Sequence, residues 1–236
     1  MEKPVKKVLS FSLWGHNLKY SLGGAKNAEL VSKIYPGWTG KFYIHKDVDS
    51  EVINQIKQTD SCEVEIIDES PNWRGMFWRF YAFDDPAVSV FCSRDTDSRL
   101  NEREAECVNE WLNSDKLLYS TKDHNFHDAC IMGGAFGIKR EANIDFRDLI
   151  AKYEEKGQFY QIDQNFLKDV IWPLVKDKSM IFDCLNRNEF TKTVPFPSRR
   201  PIDGSFVGEV FDENGLQNNQ HRRILALAES KIFKLQ

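Results

Sequence analysis

Residues 87–100 read AVSVFCSRDTDSRL and join a short apolar run to an abrupt cluster of charge. The apolar run, Val88–Cys92, has the length of a buried strand and is short for a helix. Asp95 and Asp97 follow it directly, and two carboxylates separated by one residue can converge on one hard cation. Such a cation can in turn neutralise a phosphate-bearing substrate.

The position of this cluster at a strand end gives it more weight than its pattern alone. D-x-D is a common pattern, and a solvated turn after a strand is the alternative interpretation. In open α/β sheets, however, ligands bind outside the carboxyl ends of the strands. The flanking Arg94 and Arg99 carry guanidinium groups that suit anionic oxygens. The segment therefore favours a site for a cation and an anionic ligand.

The length and charge of the chain limit its class. Its 236 residues are enough for one substantial core, so we expect a single domain over residues 1–236, with its core in 8–210 and a helical segment in 211–236. The 32 basic and 36 acidic side chains give a net charge of −4. This balance offers no general attraction to nucleic acid or to an anionic membrane. We therefore expect a local site and no nucleic-acid partner.

The cysteine pattern and the hydropathy of the chain indicate a cytoplasmic protein. The five cysteines are widely spaced and form no C-x-x-C pair, which argues against a disulfide framework and fits a reducing compartment. Polar residues interrupt the apolar segment near the N-terminus, so it is a poor signal peptide. No window approaches the roughly 20 apolar residues of a membrane span.

The first part of the chain alternates between strand and helix patterns. We expect a polar loop with Gly23 and Gly24 after the first strand, and a helix that begins at Asn27. The alternation predicts a mostly parallel sheet with helices on both faces. The expected strands are Val8–Trp14, Lys41–His45 and Val64–Ile67, and a short helix follows Ser50.

Three later segments carry further candidate residues. The aromatic segment Trp73–Phe83 predicts a buried helix that delivers Arg79 to the edge where the acid cluster lies. His124 and His127 have no fourth partner at a standard zinc spacing, so we expect them to line a substrate rather than a zinc ion. The glycines of residues 131–137 (IMGGAFG) predict a strand that a ligand or another backbone approaches closely.

Asp163 stands at the start of a predicted helix in the segment DQNFL. Aspartate is a preferred N-cap residue, so a purely structural role is the alternative to a functional one.

Taken together, FWRF, SRDTDSRL, DHNFH, IMGGAFG and DQNFL resemble the GT-A-fold glycosyltransferases. Within that group they are similar to small enzymes of bacteria and large DNA viruses, such as the first domain of a chlorella-virus capsid glycosyltransferase. The resemblance covers roughly residues 8–210. It implies one α/β, Rossmann-like GT-A domain, with a mostly parallel mixed central sheet flanked by helices.

The resemblance also implies roles for individual residues. Asp95 and Asp97 would hold Mn²⁺ or Mg²⁺ against the diphosphate of a UDP- or GDP-sugar donor. The residues that would bind this donor are Ser12, Leu13, Trp14, Arg79, Arg94, Asp95, Gly133 and Gly134. The acceptor side would include His124, His127 and Gln164. The family's C-terminal metal-binding histidine motif, H-x-x-G-x-x-K-P-W, is absent from this chain, and Asp183 is one possible substitute.

The function implied is metal-dependent transfer of a sugar to an acceptor hydroxyl of a glycan or glycoconjugate. If the anomeric configuration inverts, Asp163 or Asp128 would take the acceptor proton; if it is retained, Asp163 would bind the sugar. Two alternatives stay open at this point. One is a nucleotidyltransferase on a similar fold, although the segment after the first strand matches its signature loop poorly. The other is a catalytically silent module that binds a nucleotide sugar.

Overall fold

The strand predicted in residues 87–100 lies in the middle of a central sheet. The structure is a computed structural model that describes residues 6–70, 72–154 and 161–233. The strands are β1 (Lys6–Leu13), β2 (Thr39–His45), β3 (Cys62–Ile67), β4 (Val88–Arg94), β5 (Leu118–Lys122), β6 (Ala135–Lys139) and β7 (Ser179–Asp183). Within the described ranges they form one sheet in the order β3-β2-β1-β4-β6-β5-β7.

The sheet is mostly parallel, as the sequence predicts. β1, β2, β3 and β4 run parallel to one another, β5 and β7 form a second parallel pair, and β6 is antiparallel to both of its neighbours. The chain leaves β1 towards β2 and β3, and then returns to β4 on the other side of β1. This reversal makes the carboxyl ends of β1 and β4 a switch point, where open α/β sheets bind ligands.

Helices flank the sheet and complete the α/β fold. They are α1 (Leu18–Ile34), α2 (Ser50–Lys57), α3 (Gly75–Trp78), α4 (Glu102–Leu112), α5 (Phe146–Glu154), α6 (Ile162–Phe166), α7 (Trp172–Val175) and α8 (Asn219–Phe233). A 3₁₀ turn, Arg79–Asp84, continues α3, and a π turn, Leu167–Ile171, joins α6 to α7. None of the helices in the described part of the chain has the length and hydropathy needed to cross a membrane.

Aromatic side chains fill the core beneath the site. Phe80 is fully buried and packs against a group of phenylalanine rings at centroid distances of 5.6 to 6.4 Å: Phe91, Phe136, Phe146 and Phe166. Aromatic pairs at such distances add to the free energy gained from burying their surface. The packing fixes the turn that carries Arg79, the neighbour of Phe80 in the chain.

The prediction that Gly23 and Gly24 lie in a loop after β1, and that a helix begins at Asn27, is wrong. All three residues lie inside α1. The helix begins earlier, after the N-cap Asn17, whose side chain accepts a hydrogen bond from the Lys19 amide at 3.0 Å. A Cβ atom at position 23 would overlap the carbonyl oxygen of Thr96. Because Gly23 has no side chain, the loop after β4 can lie directly against the helix. This close approach, and not a turn, explains the glycine at position 23.

Other boundaries differ from the sequence prediction in informative ways. The segment Trp73–Phe83 forms a short α-helix and a 3₁₀ turn instead of one helix. β7 was missed because its residues follow a helix without a turn signal. The helix predicted at the C-terminus is present as α8, while residues 234–236 of the predicted helical segment lie outside the described residues.

Substitution of Gly23 by alanine tests this packing, with Gly24→Ala as the matched control. Both changes gain the same helix propensity, but a Cβ at Gly24 meets only side-chain atoms, the nearest being Leu13 Cδ2 at 3.3 Å. We expect Gly23→Ala to have a lower free energy of unfolding than Gly24→Ala by about 1–3 kcal/mol, as for overpacked sites. Urea denaturation measures both. Equal stabilities would contradict the close contact between α1 and the loop.

Candidate functional site

A cleft of about 480 Å³ opens at the carboxyl ends of β1 and β4. Its walls are Ser12, Leu13, Trp14, Gly15, His16, Asn17, Tyr20, Trp73, Met76, Arg79, Asp95, Thr96 and Asp97. A smaller pocket of about 270 Å³ lies at the opposite edge, where the lining Lys6 pairs with Glu63 and Lys41 pairs with Glu65. The larger cleft brings together aromatic walls, two aspartates and an arginine, and is therefore the candidate site.

Arg79 lies at the centre of the charges in this cleft. One guanidinium nitrogen donates to Asp95, and the other donates to Oδ2 of Asp163 at 2.7 Å. Its backbone amide donates to the Ser12 hydroxyl at the end of β1 at 2.8 Å. Only 7% of Arg79 is exposed. The sequence correctly predicted that Arg79 reaches this edge, and the structure adds that it bridges two carboxylates.

Asp163 is a buried carboxylate and does not cap the helix that follows it. The N-cap of α6 is Gln161, with φ of +65°, and Asp163 lies in the first helical turn with 3% of its surface exposed. Burial raises the pKa of Asp163 above its ordinary value, and the positive charge of Arg79 acts in the opposite direction. Its Oδ1 is buried without a hydrogen-bond partner in the described chain, and Asp163 is not among the residues that line the cleft.

Gly133 and Gly134 precede β6 and let the carboxylates approach the backbone. A Cβ atom at position 134 would overlap the carboxylate of Asp95. At Gly133 a Cβ would lie 3.3 Å from Arg79 and from Asp163. The Gly133 amide donates to the Gln164 side chain at 3.0 Å. The close approach predicted for these glycines is present, and the approaching groups are the charged side chains of the site.

Asp97 forms an ion pair that the sequence did not indicate. Lys19, in the first turn of α1, places its Nζ atom 2.7 Å from Oδ2 of Asp97. Burial and the negative charge of Asp95 raise the pKa of Asp97, while Lys19 opposes that shift. The one sequence signal for Lys19 is a cation near a helix N-terminus, where an anion is favoured.

Hydrogen bonds to the backbone hold the loop that contains Asp97 from two sides. The buried Asn27 side chain donates to the Ser98 carbonyl at 2.9 Å and accepts from the Leu100 amide at 3.0 Å. From the other side, the Phe211 amide donates to the Asp97 carbonyl at 2.9 Å. Asn27 was predicted to begin a helix, and its role in positioning this loop was missed because its partners lie about 70 residues away.

The histidines predicted to face an acceptor form a separate cluster after β5. His124 is 1% exposed, and its Nε2 lies 3.0 Å from the His221 carbonyl. His127 Nδ1 accepts from the Asp123 amide at 3.2 Å, and burial and the neighbouring His124 lower the pKa of His127 to about 4. Neither histidine is among the residues that line the cleft, and Asp128 is exposed and does not line it either.

Two expectations from the sequence are corrected by ion pairs outside the cleft. Arg94 is buried and donates to Glu104 at 2.9 Å, so its guanidinium is paired within the core and does not line the cleft. Asp183, considered as a third metal ligand, pairs with Arg187 at 2.9 Å. It ends β7, the third strand from β4, which separates it from the cleft.

The donor set of the cleft is compatible with a magnesium or manganese ion. Within residues 6–70, 72–154 and 161–233, no group of three or more His, Cys, Asp or Glu side chains could hold a metal. Mg²⁺, however, is often held by one or two carboxylates together with substrate phosphates and water. Asp95 and Asp97 line one cleft and supply hard oxygen ligands of this kind. The residues therefore fit a cation that is bound jointly with an anionic ligand.

Comparisons with solved structures identify the fold. The galactosyltransferase LgtC, solved in complex with donor and acceptor sugar analogues, matches with a TM-score of 0.50 and 11% identity over 95% of each chain. The mannosyltransferase PcManGT from Pyrobaculum calidifontis, in complex with GDP-Man and Mn²⁺, gives a TM-score of 0.51 and 9% identity over 83% of this chain and 58% of that one.

A glycosyltransferase involved in the glycosylation of the major capsid of PBCV-1 has a TM-score of 0.47 and 12% identity, over 78% of this chain and 85% of that one. Protein-family models and curated protein sequences give no match. The two matches with TM-scores of 0.50 and 0.51 confirm the predicted resemblance to GT-A glycosyltransferases at the level of the fold.

Proposed function

We propose that the protein is a metal-dependent glycosyltransferase. It would move a sugar from a nucleotide-sugar donor, a UDP- or GDP-sugar, to a hydroxyl of a glycan or glycoconjugate acceptor. The observation that carries the proposal is that Asp95, Asp97 and Arg79 line one cleft at the switch point of the sheet, and that Arg79 also holds the buried carboxylate of Asp163. The GT-A fold shared with sugar-transferring enzymes supports it. The unpaired cysteines fit the reducing compartment expected from the sequence.

The cleft offers a place for each part of the donor. Aromatic side chains at one end, among them Trp14 and Trp73, provide apolar surface for a nucleotide base. Asp95 and Asp97 would hold the divalent cation, which supplies positive charge to the diphosphate as it becomes the leaving group. Arg79 adds a fixed charge beside them, and preorganised charges of this kind stabilise developing negative charge.

Asp163 is assigned to the reacting sugar. Its buried Oδ1 is without a hydrogen-bond partner in the described chain, while Oδ2 is held by Arg79. In an inverting reaction this carboxylate would accept the proton of the acceptor hydroxyl, a task favoured by a pKa above the ordinary range of aspartate. In a retaining reaction it would bind the sugar hydroxyls. Gln164, which is fixed against Gly133, lies beside it.

The acceptor is assigned to the side of the cluster formed by His124, His127, Phe206 and His221. Phe206 stacks on the His124 ring at 4.7 Å, and Phe126 beside it is 58% exposed. The exposed ring of Phe126 gives a sugar an apolar surface to rest on. Asp128 follows His127 and stays the alternative proton acceptor on this side.

The structure bears on the two alternative functions. A nucleotidyltransferase would need a glycine-rich phosphate loop after β1, but Gly23 and Gly24 lie inside α1, where Gly23 packs against the Thr96 carbonyl. A silent binding module would keep the cleft and lack turnover. Only an assay of chemistry distinguishes that module from an enzyme.

Hydrolysis of nucleotide sugars tests the proposed function, because many such transferases transfer slowly to water when no acceptor is present. A panel of UDP- and GDP-sugars is incubated with Mn²⁺, and release of the nucleoside diphosphate is followed. We expect one donor to be cleaved, and Asp97→Asn to lose a factor on the order of 10² in rate because it removes a charged ligand. A folded wild-type protein that binds donors but cleaves none, with acceptor glycans present, would instead indicate a binding module.

Asp163→Asn tests the role of the buried carboxylate. The amide is isosteric but cannot accept a proton, so we expect turnover to fall by a factor on the order of 10² to 10⁴. Nucleoside diphosphate affinity should stay within about threefold, since Asp163 is assigned to the sugar and not to the nucleotide. Asp128→Asn is the matched comparison. A loss of turnover in Asp128→Asn alone would transfer the proton-accepting role to Asp128.

A further inference from the structure

Lys19 is a cation inside the charged cluster that the proposed chemistry does not use. Its Nζ atom lies 2.7 Å from Oδ2 of Asp97, and the two side chains are 25% and 14% exposed. Asp97 lines the cleft and is one of the two carboxylates assigned to a divalent cation. The ammonium group therefore occupies one of the oxygens that such a cation would require.

The stability of α1 does not account for a lysine at this position. Lys19 lies in the first helical turn, two residues after the N-cap Asn17, and this turn contains no acidic residue. A positive charge near a helix N-terminus is unfavourable by about 0.3–1 kcal/mol. The side chain instead pairs with Asp97 and lies over the Tyr20 ring at 4.6 Å, and the ion pair with Asp97 raises the pKa of Lys19 despite its partial burial.

The cluster that contains the Lys19–Asp97 ion pair has more negative than positive side chains. Three carboxylates, Asp95, Asp97 and Asp163, face two cations, Arg79 and Lys19. When all are ionised, one negative charge remains uncompensated. A divalent cation that joined the cluster would change its net charge from negative to positive. The negative charge of a bound nucleoside diphosphate would then make the net charge negative again.

We propose that Lys19 is an internal counter-ion that a divalent cation must displace from Asp97. The inference rests on the proposed function, because it takes Asp95 and Asp97 as the cation ligands. In the absence of nucleotide, Lys19 weakens cation binding by competing for Asp97. When a nucleoside diphosphate is present, its phosphate oxygens offer the displaced ammonium a new partner. Lys19 thereby makes tight cation binding depend on bound nucleotide.

Binding of Mn²⁺ alone, followed by the electron paramagnetic resonance signal of the free ion, tests this competition. Wild type is compared with Lys19→Met, which keeps the length of the side chain and removes its charge. Lys26→Met is the matched control on the same helix, since Lys26 is 62% exposed and pairs with Glu29, away from Asp97. Lys19→Arg retains the positive charge.

We expect Lys19→Met to bind Mn²⁺ about five- to tenfold more tightly than wild type, the effect of one partly buried ion pair. Lys26→Met and Lys19→Arg should remain within about twofold of wild type. With UDP or GDP added, the Mn²⁺ affinity of wild type should rise more than that of Lys19→Met. Melting curves in EDTA confirm that each variant is folded, and Lys19→Gln replaces Lys19→Met should the latter fail to fold.

Two different failures can be told apart. If wild type binds Mn²⁺ together with a nucleoside diphosphate, but Lys19→Met binds Mn²⁺ no more tightly than wild type, the counter-ion role is overturned and the proposed function stands. If wild type binds neither Mn²⁺ nor a nucleoside diphosphate in any combination, the proposed function falls and this inference falls with it.

Discussion

The guanidinium group of Arg79 is the contact on which the arrangement of the site depends. It joins Asp95, at the end of the central strand, to Asp163, on a helix about 70 residues further along the chain. Its backbone amide also reaches Ser12 at the end of β1. Three carboxylates this close would repel one another and resist burial if no cation lay among them. Arg79 and Lys19 make the cluster possible, and the phenylalanine core below Arg79 fixes its position.

Much of the fold follows from local signals in the sequence. Alternating apolar residues, short apolar runs and caps predicted the strands β1–β4 and the α/β class. The N-cap of α4 is a local signal of the same kind, since Asn101 accepts from the Glu104 amide at 3.0 Å. The D-x-D segment and Arg79 reach the same cleft, as the resemblance to GT-A enzymes implied. Such features are local, because strand length, helix caps and strand-end position need no knowledge of distant residues.

Three of the errors share one physical cause, which is that a residue distant in the sequence decides the role of the side chain. Gly23 looks like a turn residue until the Thr96 carbonyl is seen against it. Asp163 looks like a helix cap, but Arg79 holds it and Gln161 takes the cap position. Arg94 looks like an anion-binding arginine, but Glu104 pairs with it in the core. In each case the sequence prediction used the ordinary preference of the residue type. The contacting residue that decides its role is distant in the sequence and is seen only in the folded structure.

The central claim is that this charge network binds the diphosphate of a nucleotide through a divalent cation. Calorimetric titration of the wild-type protein with UDP and with GDP, each in Mn²⁺ and again in excess EDTA, tests it most directly. The account predicts that one of the two nucleotides binds at one site per chain in Mn²⁺, and that chelation abolishes binding while the melting transition of the free protein is retained. Equal affinity in Mn²⁺ and in EDTA, or no binding of either nucleotide, would contradict the claim.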